Sequence, residues 1–230
     1  MESGTVTFSL IARDPETGMF GIALTSSAVA VANRCPWVRA GVGAVTTQHR
    51  TDTRAGPIGL DLLSQGCSAQ ETVKVLALAN DHPGERQFAA VDRHGRAAFY
   101  TGPEITNINT GFVGNACVST GNFIASADIP QIMVEAYEGA SGMSFAERLL
   151  AAVDAGYEAG GETKPIRSAG LLIADREAWP LVDLRIDWDE APLKSLRALW
   201  NFYEPHQQLF VKQVLAPNEL KPLVDSPMNV

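Results

Sequence analysis

The chain has few of the features that suit a protein to nucleic acid, a membrane or export. Lys and Arg number 18 against 26 Asp and Glu, a formal net charge of −8, and no five basic residues follow one another. Phosphate backbones are held by clustered cations, so this balance argues against a nucleic-acid partner. The start, Met1-Glu2-Ser3-Gly4-Thr5, has neither the basic nor the apolar region of a signal peptide. The small apolar stretch 28–32 is far too short for a bilayer, which takes about 20 residues. A cytoplasmic protein without a membrane partner is expected. Cysteine is scarce and odd in number: Cys35, Cys67 and Cys117 lack CxxC spacing. They read as buried thiols in a reducing compartment. No His is spaced with them or with Asp183 and Asp187 for ligation, so neither metal nor cofactor is expected.

What is present suits one large globular domain, 230 residues with 46% hydrophobic content. Thr7-Phe8-Ser9-Leu10-Ile11-Ala12 alternates hydroxyl and apolar side chains, and Asp14-Pro15-Glu16-Thr17-Gly18 carries turn chemistry. The returning strand, 19–24, delivers Thr25-Ser26-Ser27 beside the start of the first. An antiparallel hairpin brings its open ends together, so Thr7 and this Ser/Thr shelf should face each other. A sheltered hydroxyl at a strand start is how an N-terminal nucleophile site is built.

Further along, helices are predicted over 57–66, 69–78, 129–138, 145–159, 192–203 and 205–215. Capping boxes open two of them, Ser68 with Glu71 and Ser144 with Glu147. Strands are predicted over 38–45, 87–91, 97–101, 111–120, 168–174 and 181–188. Strand pairs separated by helix pairs do not make a doubly wound parallel sheet. The order fits an α+β fold: a four-layer αββα sandwich of two mainly antiparallel sheets. Its expected limits are an extension over 1–6, the domain over 7–215 and a Pro-rich tail over 216–230. Leu196, Leu199, Trp200, Phe202, Tyr203, Leu209 and Phe210 give the late helices enough apolar surface to predict a homo-oligomer.

Several segments resemble a bacterial family, domain of unknown function 1028. They are Thr7-Phe8-Ser9-Leu10-Ile11-Ala12-Arg13-Asp14-Pro15, Gly18 with Gly21-Ile22-Ala23, Arg39-Ala40-Gly41-Val42-Gly43-Ala44-Val45, Thr47-Gln48, Gly121-Asn122 and Arg167-Ser168-Ala169-Gly170. The likeness runs from Thr7 to about Trp200. That family is grouped with the N-terminal nucleophile (Ntn) hydrolases, so the resemblance implies the αββα sandwich and amide-bond hydrolysis, with no substrate named. Family members commonly begin Met-Thr-Phe-Ser, whereas six residues precede Thr7 here. Glu2 blocks simple Met excision, so a free Thr7 amine requires cleavage of Val6–Thr7, with Gly4–Thr5 a rival bond.

On that reading Thr7 is the nucleophile and its own α-amine, titrating at roughly 7.7–8.0, is the general base. Arg39, where relatives carry a basic residue, would favour the neutral amine and orient a substrate carboxylate. Ser9, Ser26, Gln48, His49, Asp52, Asn122 and Arg167 are the candidate substrate contacts. Gln48 and Asn122 have amides suited to an oxyanion, and His49 and Asp52 lie in a polar loop after an inner strand. Each also has a plain structural reading, as strand, turn or surface residue. Two functions follow: hydrolysis of a small amide or carbamoyl-type C–N bond, or a catalytically inert module that kept the fold for binding or assembly.

Overall fold

The computed structural model describes residues 6–220. Most of the expected extension, residues 1–5, and most of the tail, residues 221–230, lie outside the described residues.

The first hairpin forms as the pattern predicts. β1 (Thr7–Arg13) pairs antiparallel with β2 (Phe20–Ser26), and Thr7 falls opposite Ser26. Its turn closes through Gly18, whose φ of 79° favours a residue without a Cβ. The next strand departs from expectation. Residues 40–42 turn the chain, so the single strand expected over 38–45 is a second hairpin, β3 (Pro36–Arg39) and β4 (Gly43–His49). Gly41, at φ 68°, lets the chain reverse there.

Helices α1 (Ala55–Ser64) and α2 (Ala69–Leu78) follow. The Ser68/Glu71 capping box is fully formed, satisfying donors at the α2 start that would otherwise lack partners. β5 (Arg86–Asp92) and β6 (Ala97–Thr101) make the next hairpin. The strand expected over 111–120 is likewise two strands, β7 (Asn109–Gly114) and β8 (Cys117–Asn122), with Ala116 left-handed at φ 55° between them. α3 (Ile129–Gly139), α4 (Phe145–Glu158), β9 (Ser168–Ala174), β10 (Val182–Ile186), α5 (Pro192–Tyr203) and α6 (Gln207–Leu215) complete the order.

The strands form two sheets, ordered β10-β9-β2-β1-β8-β7 and β3-β4-β5-β6, and every described pairing within them is antiparallel. Strand alternation then sorts the side chains by face. Phe8, Leu10 and Ala12 pack outward with α3, α4 and α5. Ile11, Ile22, Leu24, Ala44, Ala89 and Val118 meet between the sheets. Val45, Phe88 and Ala90 turn to α1 and α2 on the far side. Helices therefore cover both outer faces. Each large apolar side chain buried this way contributes about 1.5–3 kcal/mol.

Leu196 and Trp200 are buried in the chain's own core, with Leu199 and Tyr203 packed against it. Of the seven side chains that suggested an oligomer, Leu196 and Trp200 are thus buried within the chain, Leu199, Tyr203, Leu209 and Phe210 are partly buried, and Phe202 is exposed. Among the described residues no helix is long and apolar enough to cross a membrane.

Candidate functional site

The layer between the sheets is apolar at one end and polar at the other. Along β1 the inward positions run Ile11, Ser9, Thr7, and the opposing strands change character in step: Val118, Thr120, Asn122 on β8 and Val91, Ala89, Gln87 on β5. Gln48, at the same end of β4, accepts from the Ser9 hydroxyl at 3.0 Å and donates to Thr120 Oγ1 at 2.9 Å and Gln87 Oε1 at 2.8 Å. Gln87 donates in turn to Thr101 Oγ1, Thr110 O and Gly121 O, and its oxygen also accepts from Asn122 Nδ2 at 3.1 Å. Ser9, Gln48, Gln87, Thr120 and Asn122 have no exposed surface. Burying a polar group without a partner is costly, so the bonds of this network tie the two sheets together.

Thr7 stands at the open end of the network, 2% exposed. Its hydroxyl donates to Ser26 Oγ at 3.3 Å, and Ser26 Oγ in turn donates to the carbonyl of Val6. The Ala28 N–H completes the Ser26 hydroxyl's surroundings at 3.0 Å. Val6, expected to belong to the extension, is therefore fully buried and held by its carbonyl.

The rim carries backbone strain. His49 and Phe123 end β4 and follow β8 with φ of 68° and 54°, left-handed values that non-glycine residues rarely adopt. Their rings stack at 5.8 Å and 8°, bridging the two sheets, and His49 Nδ1 lies 2.8 Å from the Glu85 carbonyl. Such strain costs about 1–3 kcal/mol and collects at functional sites.

The family of unknown function designated DUF1028 matches residues 7–196. The chain belongs to this family. Protein SPO2555 from Silicibacter pomeroyi, a solved DUF1028 structure, is 30% identical with a TM-score of 0.80, covering 86% of this chain and 89% of that one. The Anbu (ancestral beta-subunit) from Yersinia bercovieri is 10% identical with a TM-score of 0.39, over 89% of this chain and 97% of that one. No curated protein matches.

Of the residues expected in the site of this DUF1028 chain, Thr7, Ser9, Ser26, Gln48 and Asn122 converge as described, and His49 lies at the rim. Arg39 does not join them. It ends β3 opposite Gly43, six residues along β4 from His49, which is about 20 Å at strand rise. Its guanidinium pairs with Asp61 of α1 at 2.9 Å. The expectation failed because the turn at 40–42 sends Arg39 to the sheet's edge. Asp52 is likewise committed elsewhere. Arg54 grips its carboxylate at 2.8 Å and Asn80 at 2.9 Å, and the Arg54 bond above all lowers its pKa to about 2. Arg167 touches the site through its backbone alone: its N–H donates to Ser26 O at 2.7 Å, while its guanidinium lies over the Trp188 ring. Cys35 and Cys117 are buried thiols as expected, pushed up to about 11 and 12 by burial, whereas Cys67 is half-buried.

Two residues escaped the sequence reading. Gln87 sits at an inward strand position, and its alternation with Ala89 and Val91 was the available signal. Glu162 lies after Gly160-Gly161, where local sequence suggests only a helix stop. It is a buried acid with one oxygen accepting from Ser27 N–H at 2.9 Å.

Proposed function

We propose that this chain is an amide hydrolase of the Ntn type, with Thr7 its nucleophile and a small amide or carbamoyl-type C–N bond its target. The observation that carries the reading is the hydroxyl chain from Thr7 Oγ1 through Ser26 Oγ to the Val6 carbonyl. The two antiparallel sheets with helices outside are consistent with it. Before scission the Thr7 nitrogen is an amide with no basicity, and Thr7 is enclosed. A cleft of about 320 Å³ lies near Asp14 and Phe145, at the other end of β1. Activity therefore requires the Val6–Thr7 bond to break.

The same chain of groups supplies a route. Thr7 Oγ1 adds to the Val6 carbonyl carbon while Ser26 O–H hydrogen-bonds the developing oxyanion. The C–N bond breaks, the hydroxyl proton ends on the Thr7 nitrogen, and an ester links Val6 to Thr7. Water hydrolyses that ester, leaving a Val6 carboxylate and a free Thr7 amine and hydroxyl. The amine then takes the hydroxyl proton when substrate is attacked.

A second reading, an inert binding or assembly module, is favoured by the burial of Val6 and the hold on its carbonyl. A chain starting at Met-Thr7, from which Met is excised, separates the two. On a panel of small amides, carbamates and acyl-amino acids it should turn over, Thr7→Ser should retain part of the rate, and Thr7→Ala should have none. Equal turnover by parent and Thr7→Ala excludes the mechanism. No turnover across the panel leaves the module ahead.

A further inference from the structure

The lane of the sheet directly ahead of β1 is occupied by a distant part of the chain. Thr7 lies opposite Asn122, so a strand continuing β1 backwards would set position 5 opposite Ile124. Ile124 instead bridges Glu162, and in the antiparallel sense that β1 itself follows. Ala125 N–H donates to Gly161 O and Thr163 N–H to Phe123 O, both at 2.9 Å, whereas Ile124 N–H turns the other way to Ile108 O. Residues 161–163 therefore sit on the β1 edge of this extension of β8. Glu162 holds the place two positions ahead of Thr7, about 7 Å from its Cα at strand rise. A glutamate side chain spans most of that gap.

Glu162 is anchored on the β2 side by Ser27 N–H, which bonds Oε2 at 2.9 Å. Its other oxygen, Oε1, is buried and has no hydrogen-bond partner. Asn122 Oδ1, on the residue directly opposite Thr7, is buried and unpartnered as well. Buried acceptors without donors are rare, because each costs about 1–3 kcal/mol. Two of them flank the point where a chain beginning at Thr7 would present an ammonium with three N–H donors.

We propose that Glu162, with Asn122 opposite, is the seat of the Thr7 α-amine in a chain that begins at Thr7. This rests on the proposed scission before Thr7 but not on turnover. Before scission burial above all holds the Glu162 carboxyl well above the usual carboxylate range, with the Ser27 N–H and then the Ser27 hydroxyl opposing. Lys164, two residues on, adds a small opposing pull, and the flanking Ser27, Phe123 and Ile124 carry no charge. After scission an ammonium within reach stabilises the carboxylate, and the carboxylate stabilises the ammonium. The pair then orients the amine nitrogen beside the Thr7 hydroxyl.

The test is the titration of the α-amine, read without substrate. A chain starting at Thr7 keeps every strand and the three apolar core clusters, and gives up the buried Val6 side chain just ahead of β1. The pH dependence of α-amine acylation in this chain is compared with its Glu162→Gln variant, which retains an oxygen for Ser27 N–H. The amine pKa should fall by about one unit or more in the variant. An unchanged or higher value overturns the assignment. Should the variant not fold, the Glu162 carboxyl is followed by carbon-13 NMR in the full and trimmed parents: it must titrate lower in the trimmed chain, and equal values overturn the proposal. A chain with no turnover but a Glu162-dependent amine would sink the hydrolase reading and keep this one; turnover with an indifferent amine would do the reverse.

Discussion

Thr7 and Ser26 are direct partners in the β1–β2 register, and their hydroxyls meet at 3.3 Å. The hairpin geometry makes this pairing robust. The turn at 14–18 fixes the register, and slipping by one residue would drive Phe8 and Leu10 out of the helix-facing core. Ser26 is then placed to hold the Val6 carbonyl from the neighbouring strand.

Ser26→Ala tests that arrangement. It deletes the donor to the Val6 carbonyl without changing any apolar contact. Scission of Val6–Thr7, followed by intact mass over time, should slow by about 10²–10³, the usual effect of losing one oxyanion donor. Scission at the parental rate would show that Ser26 plays no part in it.

Gln87 holds the buried network together through both ends of its amide. Gln87→Leu would strip partners from Gln48 Nε2 and Asn122 Nδ2 and remove the donor to Thr101, Thr110 and Gly121. Each donor or acceptor left unsatisfied costs about 1–3 kcal/mol, so urea denaturation should report a loss of about 3 kcal/mol or more. The double change Gln48→Leu with Gln87→Leu should lose less than the sum, because the two share a bond. Additive losses would dissolve the network as a unit.

Two helical glycines should respond in opposite directions to alanine. A Cβ on Gly56 of α1 would come within 2.2 Å of the Trp37 ring, so Gly56→Ala should destabilise despite its better helix propensity. Gly139, the last residue of α3, has nothing within 4 Å of its would-be Cβ. Gly139→Ala should stabilise by a few tenths up to about 1 kcal/mol. Thermal melts of the two variants shifting in the same direction would contradict this packing.

The sheets and most helices were legible because their signals are local. Ser68 with Glu71 announces α2, and the alternation from Thr7 to Ala12 announces a strand with one face in each of two layers. Thr7 and Ser26 could be paired on paper because a hairpin fixes which ends meet. Arg39 could not be located, since the turn at 40–42 has the same glycine-rich composition as a small-residue strand. Asp52 and Arg54, two residues apart, satisfy each other, a fact that loop composition does not reveal. Glu162 stayed hidden for a different reason. Its importance comes from lying in line with a strand 155 positions earlier, and no periodicity records such a meeting.

Two of the perturbed acids, Asp52 and Glu162, should give the full chain opposite pH slopes in different windows. Asp52 has its pKa lowered from 3.8 to about 2. Its ionic bonds contribute stability that is present above the unfolded value and lost as pH falls through the folded one, so Asp52→Asn should match the parent near pH 2 and trail it above pH 4. Glu162 behaves in reverse. Its folded pKa lies above the unfolded reference of 4.5, so above that pH the folded state binds more protons than the unfolded. Stability must therefore fall as pH rises from 4.5 towards the folded value. Glu162→Gln removes the ionisation and keeps the bond from Ser27, so the uncut variant should equal its parent near pH 4 and exceed it increasingly towards neutrality. Urea midpoints across this range decide the matter. A parent that stays level with Glu162→Gln up to pH 8 would mean that the Glu162 carboxyl ionises in place at no cost, and the buried, unpartnered oxygen at the head of β1 would lose its significance.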